Sequence, residues 1–156
     1  MTARTQAVLK ALGDTPRRLT EITRGSPVDA LTRRPSAGEW SAAEIVNHLR
    51  ANAGVWGSTI ARMLAEDDPT IRYVSPRGIM KKPEYQCGFA EALARFSADR
   101  KNLLATLKPL PGSGWSRSAT FTGVSAKRSR ATVLDYAENI ASHEALHIVQ
   151  VEALFG

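Results

Sequence analysis

At 156 residues with 43% apolar content, the chain is long enough for one domain, residues 1–156, around a single core. No stretch approaches the run of about 18 apolar residues that spans a membrane, and the opening Met1-Thr2-Ala3-Arg4 has no apolar signal core. The single cysteine, Cys87, excludes an internal disulfide, so a cytoplasmic protein is expected, with Cys87 in a packing or surface role. The net charge is +6 and the pI about 9.9. The excess is spread over loops and helix ends, as at Arg33 and Arg34, or Arg72, Arg77, Lys81 and Lys82. No recognition helix, zinc finger or aromatic-basic platform accompanies it, so a nucleic-acid partner is not expected. A solvated positive surface is the simplest reading, and steering of a small anionic substrate or thiol is the next.

Ala3 to Leu12 has a helical stripe of Val8, Leu9 and Leu12. Gly13-Asp14 and then Thr15-Pro16, a cap-and-proline signal, leave either one kinked helix or two short ones, closing at Gly25. Ser26-Pro27 predicts a short turn over Val28 to Thr32, and Pro35 to Gly38 a loop. Ser41 and Glu44 match a capping box, with Trp40 before it able to staple against Ile45. Ile45, His48, Leu49, Asn52, Trp56, Ile60 and Met63 follow at helical spacing, which puts His48 on the inward face. Asp67-Asp68-Pro69 stops this helix. Thr70 to Glu84 reads as a long connection across one end of a bundle. Tyr85 to Leu107 reads as the third main helix and Trp115 to Arg130 as polar loop, with Phe121 to Val124 pairing briefly as a strand. Thr132 and Asp135 offer a second capping box for the closing helix, Ala131 to Phe155. Four main helices and almost no strand signal predict an all-α four-helix bundle with long connections.

The chain has three histidines. His143 and His147, four residues apart, stack on one helix face. If the helix of His48 packs against them, three neutral imidazoles converge with an open position, the pattern of a catalytic rather than a closed structural metal site. The alternative is three half-buried histidines with ordinary hydrogen bonds. Zn²⁺, Ni²⁺, Fe²⁺ and Mn²⁺ all suit such ligands, and the chemistry would be activation of a water or a thiol. His143-Glu144-Ala145-Leu146-His147 also matches the zinc-protease pattern H-E-x-x-H. That pattern takes its third ligand from further along, and Glu152, the only strong candidate there, points off the histidine face. With His48 as third ligand, Glu144 is turned about 100° from His143 and is expected at a flank or facing solvent. Gln150 and Glu44 could orient ligand histidines, although capping suits Glu44 better.

Trp40-Ser-Ala-Ala-Glu44-Ile-Val-Asn-His48-Leu, followed by Trp115 and then His143-Glu-Ala-Leu-His147-Ile-Val-Gln150, resembles the DinB-like superfamily over roughly residues 15–155. The resemblance implies an up-up-down-down four-helix bundle that forms a homodimer, and a divalent metal, zinc or nickel, held by His48, His143 and His147. It also implies a low-molecular-weight thiol cosubstrate, since relatives include mycothiol-, bacillithiol- and glutathione-dependent transferases and mycothiol-dependent maleylpyruvate isomerase. The basic residues Arg72, Arg77, Lys81, Lys82, Arg128 and Arg130 are then expected to rim the metal. The resulting expectation is a metal-dependent S-transferase or isomerase, or a hydrolase, acting on a small thiol or electrophile. The alternatives are a metal-binding or stress-response protein without turnover, and a helical interaction module with structural histidines.

Overall fold

The computed structural model describes residues 1–124 and 127–155. The apolar stripes fold as helices α1 (Ala3–Thr23), α2 (Val28–Thr32), α3 (Ala42–Ala65), α4 (Pro76–Ile79), α5 (Phe89–Leu107), α6 (Gly112–Trp115) and α7 (Val133–Phe155). Between them lie strands β1 (Thr70–Arg72), β2 (Ser118–Val124) and β3 (Lys127–Thr132). The long helices α1, α3, α5 and α7 make the four-helix bundle. Arg4 meets Glu138, Thr15 meets Glu144 and Arg18 meets Glu152, so α1 and α7 run parallel. His48 lies against His147, and Trp56 against His143, so α3 runs antiparallel to α7. In α5, Phe96 packs in one cluster with Leu19 and Leu107 in another with Val8, so α5 opposes α1. Around the bundle, in the order α1, α7, α3, α5, the directions are up, up, down, down; along the chain they are up, down, down, up. None of the described helices is long and apolar enough to cross a membrane.

Packing decides where α3 sits, and its cap decides where it begins. Ile45, Leu49, Ile60 and Met63 are fully buried, each stabilising by about 1.5–3 kcal/mol relative to exposure. The capping box is formed in both directions: Ser41 Oγ accepts from the Glu44 amide at 3.2 Å, and Glu44 Oε1 accepts from the Ser41 amide at 3.1 Å. Such a cap contributes about 1 kcal/mol. Thr132 and Asp135 form the matching pair at the start of α7.

α1 is one helix that runs through Pro16. Proline has no N–H to offer the carbonyl four residues back, which frees the Leu12 oxygen. Arg100 Nη1 donates to that oxygen at 2.9 Å. The side chain of α5 thus replaces the bond that proline removes.

The segment after α5 departs most from the sequence reading. β2 pairs antiparallel with β3, and β1 joins β2 in parallel, pairing Thr70 with Thr120 and Arg72 with Thr122. β3, Lys-Arg-Ser-Arg-Ala-Thr, lacks polar–apolar alternation, and the three-residue β1 finds its partner about fifty residues away, so neither shows a strong local signal. Gly123 sits at φ +88° where the β2–β3 register shifts, and a Cβ there would come within 3.3 Å of Arg72 Cγ, so this irregularity in β2 needs glycine. The third long helix begins at Phe89, not Tyr85, because Pro83–Tyr85 form a 3₁₀ turn before Gly88, the residue preceding the helix.

Candidate metal centre

The inward stripe of α3 carries His48, Asn52 and Trp56 at successive turns, facing His143 and His147 on α7. The three imidazoles converge. His48 Nε2 lies 3.3 Å from His143 Nε2, which lies 3.2 Å from His147 Nε2. A metal–nitrogen bond of about 2.0–2.1 Å in tetrahedral geometry separates neighbouring nitrogens by about 3.3–3.4 Å, so this spacing is that of ligands around one ion. One ligand nitrogen from each ring lies within 4.8 Å of the others.

The protonation states agree. Burial, then the neighbouring His147, His143 and Arg77, push the His48 imidazole down to about 3. Burial and His147 lower His143 to about 4, and burial also lowers His147. All three rings are neutral at pH 7 and keep a lone pair. His147 Nδ1 lies 2.9 Å from Gln150 Oε1. Because an amide oxygen can only accept, His147 carries its proton on Nδ1 and its lone pair on Nε2, toward the cluster. The cluster fits a divalent metal by donor type, spacing and charge state.

A cavity of about 260 Å³ opens on the cluster. Trp40 and Trp56 wall it, their rings 4.9 Å from His48 and 5.0 Å from His143. Asn52 Nδ2 is 3.1 Å from His48 Nε2, and Asn52 Oδ1 and His48 Nδ1 are buried without a partner among the described residues. Of the basic residues expected at the rim, Arg77 alone lines this cavity, with its guanidinium 5.6 Å from the Trp40 ring centre. Arg72 and Lys82 line a neighbouring cavity, Lys81 lines another, and Arg130 pairs with Asp68. The side chain of Arg128 lies outside the described residues. Asn52, Trp40 and Trp56 were visible as stripe or staple residues, but nothing in the sequence marked them as walls of a site.

Glu144 corrects the sequence reading. It is 1% exposed, neither flanking nor solvent-facing. Its carboxylate takes a two-pronged ion pair from Arg100, itself 2% exposed, and accepts from the Thr15 hydroxyl at 3.1 Å. A bundle helix has neighbours on both sides, so a residue off the metal face can be as buried as one on it. Among the described residues no carboxylate lines the cavity of the cluster, which leaves Glu144 no general-base role there. Glu44 caps α3 and pairs with Arg34, and Glu152 pairs with Arg18. Half-buried Cys87 lies 3.4 Å from Asn47 Oδ1 and does not line the histidine cavity.

Fold and site together define a four-helix-bundle protein with a three-histidine centre between antiparallel helices. The chain belongs to the DinB superfamily, whose family model matches residues 11–151. Among solved structures it is similar to YfiT from Bacillus subtilis, described as a probable metal-dependent hydrolase with an unusual four-helix bundle topology. The match has a TM-score of 0.83 and 17% identity, covering 99% of this chain and 87% of that one. No curated protein is significantly similar to the chain.

Proposed function

We propose that the protein is a metal-dependent enzyme in which His48, His143 and His147 hold one divalent ion, zinc or nickel, and a small thiol or water is activated for attack on an electrophile. The convergence of three neutral imidazoles on a small cavity, with His143 Nε2 3.3 Å from His48 Nε2 and 3.2 Å from His147 Nε2, carries this reading. When bound, the metal supplies Lewis acidity, lowering the pKa of a water or thiol held beside it. The chain's own residues do the rest. Gln150 fixes the tautomer of His147. Trp40 and Trp56 keep bulk water from two sides. Arg77 offers a cation to an anionic group entering the cavity.

A thiol cosubstrate, with transfer or isomerisation as the outcome, is supported by the resemblance to thiol-dependent relatives and suits a cytoplasmic protein. Water as nucleophile is supported by the description of YfiT. A homodimer is part of the same reading: Leu146 and Val149 on α7 are 72% and 62% exposed and give the bundle an apolar outer face.

Elemental mass spectrometry of the purified protein beside His48→Ala tests the centre. About one metal per chain, lost in the variant, is expected; no metal in either, and none taken up on incubation, overturns the reading. Turnover of an electrophile by the metal-loaded protein, measured with and without mycothiol, bacillithiol or glutathione, then separates thiol from water, because only a thiol enzyme requires one of them.

A further inference from the structure

The connection from β1 to the 3₁₀ turn, residues 70–85, crosses α3 as a strap, and cavities lie on both sides of it. One is the histidine cavity. The other, about 490 Å³, lies over the next face of α3, a volume in the ordinary range for small-molecule sites, about 300–1,000 Å³. Tyr73 lines both.

This second cavity has an unusual combination of walls. Its floor on α3 includes Gly54 and Ser58, and its sides include the rings of Tyr85, Phe121 and Tyr136. Phe121 and Tyr136 stack with their planes 4° apart and their centres 5.2 Å apart, a flat apolar wall. Three cations, Arg62, Arg72 and Lys82, also line it, and no acidic residue among the described residues does. Arg62 is paired with Glu66, whereas Arg72 and Lys82 make no ion pair among the described residues. Flat apolar walls favour a planar ring, and unpaired cations beside a low-dielectric surface favour an anion.

We propose that this cavity binds a planar aromatic carboxylate, held by Arg72 and Lys82, as the body of the substrate whose far end passes Tyr73 toward the histidines. The direction of that far end rests on the proposed metal chemistry; the binding itself does not, because no histidine lines this cavity.

The test therefore uses chelator-stripped protein. Calorimetric titration compares 2-naphthoate with naphthalene-2-carboxamide, which has the same ring system and no charge. The carboxylate is expected to bind at least tenfold more tightly, and the double variant Arg72→Ala/Lys82→Ala to remove that preference. Gly54→Leu, whose Cβ meets only the Tyr85 hydroxyl at 3.8 Å, should fold and weaken both probes at least tenfold. Ser58→Leu, from the same floor, serves the same purpose if Gly54→Leu does not fold. Failure of naphthoate to bind, equal affinity for the amide, or wild-type affinity in the folded floor variant overturns the proposal. A protein that takes up no metal but binds naphthoate with this charge and floor dependence upholds the pocket and removes the metal reading. One that takes up metal but ignores naphthoate does the reverse.

Discussion

His143 and Glu144 are adjacent in sequence and face different compartments. His143 turns its Nε2 to His48 and His147, while the Glu144 carboxylate is locked to Arg100 in the core between α1, α5 and α7. One helix thus carries a histidine face and an anchoring face, one residue apart.

Breaking the anchor should cost stability before it costs chemistry. Removing one partner of a buried ion pair leaves an uncompensated charge, at about 3–5 kcal/mol. Glu144→Gln and Arg100→Met are each expected to lose stability on that scale in urea unfolding. The double variant Arg100→Met/Glu144→Leu should be less destabilised than the sum of the single ones. A Glu144→Gln protein as stable as the wild type but inactive would instead mark Glu144 as a base.

Gln150 should tune metal affinity without being a ligand. It fixes the His147 proton on Nδ1, and loss of such a partner typically weakens metal binding about 10–100-fold. Gln150→Ala is expected to retain the fold and show that loss in competition with a chromophoric chelator. Unchanged affinity would show that the helix geometry alone orients His147.

Two tryptophans report on the cluster and the third does not. Trp40 and Trp56 lie against His48 and His143, while Trp115 is buried in the core cluster around Val8, Leu12 and Leu107. Added Ni²⁺ or Cu²⁺ should quench much of the fluorescence in wild type, with the quenching lost in His48→Ala. The Trp40→Phe/Trp56→Phe variant should keep only the signal that the metals leave untouched.

Metal-free protein should become less stable as it is acidified. His48 and His143 titrate near the ordinary 6.5 when unfolded but at about 3 and about 4 when folded. Between those values the unfolded chain binds more protons, so stability falls with falling pH. The loss begins near pH 6.5 and levels off below the folded values, within the same acid range in which carboxylates such as Glu44 lose their Arg34 partner's benefit. Urea midpoints measured from pH 7 to pH 4 should fall less steeply in His48→Asn/His143→Asn than in wild type.

Much of this was legible in the chain. The stripe from Ile45 to Met63, both capping boxes and the i, i+4 pair on α7 follow from helical spacing alone, and with His48 on an inward face they foretell the cluster. The sheet was not legible, because β1 is three residues long and its partner is remote. The continuity of α1 was not legible either, since the donor that stands in at Leu12 comes from α5, 88 residues along the chain. The burial of Glu144 escaped for a similar reason: a wheel drawn for one helix shows angles but not how many neighbours the helix will have.

The contact between Arg100 and the Leu12 carbonyl has a wider consequence. A single guanidinium joins the interrupted turn of α1 to the carboxylate of α7, so three helices are keyed at their rear by one cation. His143 and His147 thus stand on a helix that is anchored from its opposite face. The strap at residues 70–85, by contrast, contributes Arg77 and Tyr73 but none of the three imidazoles. Its sequence can be rewritten to suit a new reactant while the donor set keeps its dimensions, which makes the front of the protein interchangeable and the back permanent.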